Sequence, residues 1–159
     1  MLLYVGLGTL VFAILTTYFY WQGVRGRSPA VDLSVARRRF SDIQVELQAT
    51  FFRIAGSTGK PRGLRWTHCD WSNSIAFACD RQTGQLLALA GVTISFEAIE
   101  GGDMEGVEAV GNLRNACAVF FFDGDWRTVG RVVFNLNPDE AIEYLKATYE
   151  RVFDEQAPG

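Results

Sequence analysis

Residues 116–134 read ACAVFFFDGDWRTVGRVVF. The small and aromatic run from Ala116 to Phe122 meets Asp123-Gly124, a favoured pair for a two-residue β-hairpin turn, and Trp126 to Phe134 runs back. Successive side chains of a strand alternate, so Ala118, Phe120 and Phe122 share one face, and Val132 and Phe134 are placed to meet them across the ladder. Antiparallel sheet is the consequence.

Downstream, Asn135-Leu136-Asn137-Pro138-Asp139-Glu140 starts a helix. Asn137 is a good N-cap, Pro138 suits the first helical position, and Glu140 stands three residues after the cap. Ile142, Leu145, Tyr149 and Val152 form its predicted buried stripe. Upstream lies a second hairpin: Ile75 to Cys79 is one strand, Asp80 to Gly84 the loop, and Gln85 to Glu97 the return. In the return, Val92, Ile94, Phe96 and Ala98 face one way and Thr93, Ser95 and Glu97 the other, which predicts a sheet covered on one face only.

Two periods compete between Leu33 and Ile54. Leu33, Ala36, Phe40, Ile43, Leu47, Thr50 and Ile54 repeat every three or four residues, whereas Ile43, Val45, Leu47, Ala49 and Phe51 alternate as in a strand. More than 20 residues free of Gly and Pro are too many for an ordinary strand, so a helix is expected from Val31 to Ala55, capped by Asp32 or Ser34 and ended by Gly56 or Gly59. The following Gly56-Ser57-Thr58-Gly59-Lys60-Pro61-Arg62-Gly63 lacks the spacing and the strand-to-helix context of a phosphate-binding loop.

The amino terminus differs in kind. Leu2 to Trp21 is a run of 20 residues without a charged side chain, and at ~1.5 Å per residue a helix of that length spans the ~30 Å bilayer core. Tyr18, Tyr20 and Trp21, followed by Arg25 and Arg27, are the interface anchors at its far end. A cleaved signal peptide is the competing reading, but no positive region precedes the apolar run, and the run exceeds a signal core. Gly6, Thr9, Ala13, Thr16 and Thr17 line one face, where small side chains let another membrane helix approach. The segment holds no ionisable residue that could serve as a proton relay or a metal ligand.

Charge sets the orientation. Arg25, Arg27, Arg37, Arg38 and Arg39 all follow the apolar segment, which by the positive-inside rule leaves the amino terminus outside and the domain cytoplasmic, as at a bacterial inner membrane. Residues 25–65 carry 9 positive and 3 negative side chains, net +6, and residues 66–159 carry 6 and 15, net -9. The Arg37-Arg38-Arg39 run is expected on anionic headgroups, at roughly 1 kcal/mol per side chain, or on a partner. The acidic remainder repels nucleic acid. Cys69, Cys79 and Cys117, odd in number and widely spaced, fit a reducing compartment.

Little in the domain suggests a reaction. His68 is the single histidine, and in an extended chain it shares a face with Asp70 while Cys69 opposes both, a poor geometry for a Cys-His pair. It reads as a loop-edge residue between Trp66 and Trp71. Zinc would need three scattered cysteines. Glu97, Glu100, Asp103, Glu105 and Glu108 surround Gly101-Gly102 without the order of a calcium loop, and they read as a solvated acidic loop able to meet a basic partner.

The expected fold is therefore α+β: a single N-terminal transmembrane helix, an amphipathic helix, a four-stranded antiparallel sheet of two hairpins and a C-terminal helix. Its parts are an anchor at 1–24, a basic juxtamembrane segment with the amphipathic helix at 25–56, and the α+β domain at 57–159. The expected function is that of a non-enzymatic accessory subunit of a larger membrane complex such as a respiratory, photosynthetic or secretion assembly. It would touch other integral membrane subunits and anionic lipid, with no cofactor or metal. The alternative is a membrane-tethered domain, ligand-binding or enzymatic, whose aromatic sheet face holds a small molecule.

Overall fold

The computed structural model describes residues 32–58 and 63–153. The expected membrane helix, its Gly6, Thr9, Ala13, Thr16 and Thr17 face, and the anchors Tyr18, Tyr20, Trp21, Arg25 and Arg27 lie outside the described residues, as do residues 59–62 of the 56–63 loop. Among the described residues no helix is long and apolar enough to cross a membrane.

The described chain is α+β with an antiparallel sheet. Helix α1 (Leu33–Thr58) begins where the Asp32 carboxylate accepts from the Ser34 N–H at 2.9 Å, and hydrogen bonding there, chiefly from the Ser34 hydroxyl, holds the Asp32 pKa below the usual carboxylate value. The buried residues of α1 are Ala36, Phe40, Leu47, Phe51 and Ala55, so the helical period wins over the alternating one. In the C-terminal half the stripe runs through Phe51 and Ala55, while the expected Thr50 and Ile54 are half-buried at its side.

Six strands replace the expected four: β1 (Leu64–Asp80), β2 (Leu86–Ala98), β3 (Arg114–Phe122), β4 (Trp126–Arg127), β5 (Val132–Phe134) and β6 (Tyr149–Arg151). They lie in the order β4-β3-β2-β1-β6, with β5 also beside β3. Three corrections account for the difference. First, β1 starts at Leu64 rather than Ile75, and its polar middle holds register with β2 through irregularities at Trp66/His68 and Trp71/Ile75. Secondly, the Trp126–Phe134 return breaks in two, because the Thr128 hydroxyl donates to Val119 O at 3.1 Å and accepts from the Gly130 N–H at 3.0 Å, bending the chain away from the ladder. Thirdly, the last helix, α2 (Pro138–Tyr144), stops short, and Tyr149 and Val152 are delivered to the core by β6 and the residue after it. The expected Asn137/Glu140 capping box is formed, but β-favouring Thr148 and Tyr149 find an open edge of β1 at Ala78–Asp80.

The turns follow their glycines. Gly84 has φ 70° in the Asp80–Gly84 loop. Gly124 has φ 72°, although Phe122 pairs with Trp126 and the expected two-residue turn is a three-residue loop, Asp123 to Asp125.

The sheet is also covered on both faces, not one. Against α1 lie Ala88, Ala90, Val92, Ile94, Ala118, Phe120 and Trp126, and on the opposite face Leu87, Leu89, Cys117 and Val119 pack with Ala141, Ile142 and Tyr149. Residues 86–92 are buried without interruption, a pattern that the alternation of 92–98 concealed. Phe40 and Phe51 stand edge-on to Phe120, Trp126 and Trp71 at 5.1–5.4 Å, and the Trp126 indole N–H donates to Ala36 O at 2.7 Å. The aromatic sheet face that the alternative reading would open to a small molecule is packed by α1.

Candidate functional site

Helix α1 ends before the sheet does. Its last buried turn meets Trp66, whose ring is 6.1 Å from Phe51 and 5.5 Å from Phe96. Beyond it, the α1-facing side of β2 and β5 still carries Phe96 and Phe134, 6.5 Å apart. What closes over this end is the chain between β2 and β3. Gly101 and Gly106, at φ 75° and 77°, reverse it twice, and a 3-10 turn at Glu108–Gly111 returns it to β3. The Ile99 N–H donates to Gly63 O at 2.7 Å, and the Gly101 N–H donates to the Glu105 carboxylate at 2.8 Å.

The result is an open groove of about 280 Å³ lined by Leu64, Phe96, Met104, Val110, Arg114, Phe134 and Asn135. The loop has two sides. Met104 and Val110 turn toward the sheet, Glu100, Asp103, Glu105 and Glu108 stay in solvent, and Ile99, Val107 and Leu113 are left 41%, 41% and 62% exposed. Phe134 is 44% exposed across the groove. The lining is apolar apart from Arg114 and Asn135, and the carboxylates belong to the loop above it.

The acidic residues are exposed, as a solvated loop would have them, and two make local contacts. Glu97 belongs to β2 and pairs with Arg65 at 2.9 Å, and Glu105 closes its own turn. Among the described residues no three His, Cys, Asp or Glu side chains gather to hold a metal ion. The arginine run divides: Arg37 stacks over Phe77 at 4.8 Å, Arg39 donates to Gly124 O at 3.0 Å, and Arg38 is exposed. Two of the three guanidinium groups therefore serve contacts inside the domain.

His68 lies within β1 rather than at a loop edge, exposed, with Nε2 2.9 Å from an Asp70 carboxylate oxygen. The Cys69 side chain packs toward α1 and Cys117 lies on the opposite sheet face. Burial pushes the Cys69 thiol up to about 11 and Cys117 to about 12, and raises Cys79 as well, so none is a thiolate near neutral pH.

The carboxylates of this loop hide the groove in the sequence. The signal that points to it is the apolar series Ile99, Met104, Val107, Val110 and Leu113 threaded between glycines, too regular for a loop that only meets water. No family model, curated protein or solved structure matches the chain.

Proposed function

We propose that this chain is a non-enzymatic, single-pass accessory subunit of a larger membrane protein complex, with its α+β domain on the cytoplasmic side docking a partner subunit through the groove at the far end of the sheet. The observation that carries the reading is an open groove lined chiefly by apolar side chains, Leu64, Phe96, Met104, Val110 and the 44%-exposed Phe134, beneath a loop on which Ile99, Val107 and Leu113 are exposed among the carboxylates Glu100, Asp103, Glu105 and Glu108. Helix α1, 26 residues and about 39 Å long, places the groove end of the sheet at the opposite end from Leu33.

Within this reading the Gly6, Thr9 and Ala13 face gives a second contact, to a neighbouring membrane helix, and Arg25, Arg27 and Arg38 rest on anionic headgroups. The test is mild detergent extraction at native expression followed by size analysis and identification of co-purifying chains. The wild type is expected in a larger assembly, Phe134→Asp is expected to lose the partner held by the groove, and Ala13→Leu the partner held in the membrane, with Val11→Leu as the control on another helix face. A wild-type protein that runs as a lone monomer contradicts the proposal.

A further inference from the structure

On the face of the sheet opposite α1, β2 changes character along its length. Leu87 and Leu89 are buried under α2, but the next residues on that face are Gly91, Thr93, Ser95 and Glu97. Past the short helix the face is thus polar, and it is not flat. Between Trp71 and Ile75, β1 bulges, and the Ser72 hydroxyl comes to lie over Gly91, 2.3 Å from where a β-carbon would stand. On the other side, Asn135 takes φ 63°, a left-handed conformation that Asn tolerates better than other side chains, and turns the chain out of β5 into the Asn137 cap. Bulge and turn form the two walls of a cleft of about 430 Å³, with Gly91, Thr93 and Asn115 on its floor.

The lining is mixed, with Ala116, Leu136 and Pro138 supplying apolar surface beside the polar side chains. Ser72, Ser74, Thr93, Asn115 and Asn135 present hydroxyls and carboxamides, which both donate and accept, and the cleft is lined by no Lys, Arg or His. Its one carboxylate, Glu140, is engaged in the cap, where it accepts from the Asn137 N–H at 3.0 Å, and the neighbouring Asp139 is paired with Arg151. An anion finds no counter-charge here, and a cation finds one carboxylate already in use. Thr93 donates to the Asn115 carbonyl oxygen at 3.2 Å, which fixes that amide with its NH₂ group as a donor. A glycine inside a central strand marks a place where something approaches the backbone closely, and at Gly91 the Ser72 hydroxyl does so, with Ser74 O and Pro138 Cδ also within 4 Å of where a β-carbon would stand.

We propose that this cleft binds a small uncharged, hydroxyl-rich molecule of the monosaccharide or cyclitol class, held by Thr93 and Asn115 below and by Ser72 and Ser74 at one wall. The volume lies within the roughly 300–1,000 Å³ of small-molecule sites. The cleft lies on the opposite sheet face from the apolar groove, at the same end of the sheet, and the two share Asn135 in their linings.

The test uses the full chain in lauryldimethylamine oxide, which has no sugar head group. Saturation-transfer NMR is recorded against D-glucose, N-acetylglucosamine and myo-inositol at about 10 mM each, above the ~1 mM dissociation constant that a few hydrogen bonds support, with choline and pyruvate as charged probes. Transfer is expected to at least one neutral probe, reduced tenfold or more by Asn115→Leu and by Thr93→Val, both at positions accessible to solvent. A melting temperature is taken for each variant, so that loss of signal in a folded protein is told apart from unfolding. Three results overturn the assignment: no transfer to any neutral probe, transfer to choline or pyruvate in their place, or transfer undiminished in both folded variants.

Discussion

At the hairpin end of the sheet, strands β2 and β3 are buried on both faces, under α1 on one side and under α2 and β6 on the other. At the loop end the same two strands carry Phe96 beside an open groove and Thr93 and Asn115 beneath a polar cleft. One sheet thus has a stability half and a surface half, and the change falls near Gly91–Val92, where uninterrupted burial gives way. An α+β domain has to bury one face to fold, and once the hairpin end does so the loop end is free to keep exposed apolar and polar side chains.

The contrast is challenged most strongly by aromatic truncation. Phe51→Ala, at 0% exposure, is expected to cost about 3–5 kcal/mol in urea unfolding, whereas Phe134→Ala at the groove costs under about 1 kcal/mol. Equal losses would mean that the groove is core. A smaller effect comes from the hairpin tip. Gly124 has φ 72°, and nothing lies within 4 Å of where a β-carbon would stand, so Gly124→Val is destabilising by about 1–2 kcal/mol through backbone strain alone. An unchanged melting temperature would place the turn elsewhere.

The smallest effect is at alkaline pH. Burial raises the Cys117 thiol from its ordinary 9.0 to about 12, so above pH 9 the unfolded chain loses this proton while the folded one keeps it. The unfolded state then binds fewer protons, and stability declines as pH rises from about 9 toward 12. Cys117→Ala is expected to flatten that slope in a pH series of melting temperatures, whatever it does to the absolute value. A slope that the substitution leaves unchanged would contradict the buried placement.

The hairpin half is legible in the sequence and the loop half is not. The 3-4 spacing of Ala36, Phe40 and Leu47, the glycines at 84 and 124, and the Asn137-Pro138-Glu140 cap each encode structure through contacts close in the chain. By contrast β1 reads too short, because Thr67, His68, Asp70, Ser72, Asn73 and Ser74 look like loop; His68 and Asp70 are extended through pairing with β2, and Thr67 and residues 72–74 fall at the irregularities that this pairing spans. The end of α2 is obscured for a similar reason, since Tyr149 answers to the distant edge of β1 rather than to its own helical period. The groove depends on Leu64, Phe96, Met104, Val110 and Phe134, from four separate segments, and such a grouping exists only after the sheet has formed.

Whether the groove end, and not the hairpin end, meets a partner can be decided by placing a photo-crosslinking side chain in the full-length protein at native expression. Phe134 in the groove lining and Leu113 beside Arg114 of that lining probe the groove end, and Tyr144, 76% exposed at the end of α2 just ahead of Lys146, whose carbonyl oxygen accepts from Arg81 of the hairpin loop, probes the opposite end. Covalent adducts to another membrane-complex subunit are expected from positions 113 and 134 and none from 144. Adducts from 144 alone, or none at 113 and 134, would contradict docking through the groove.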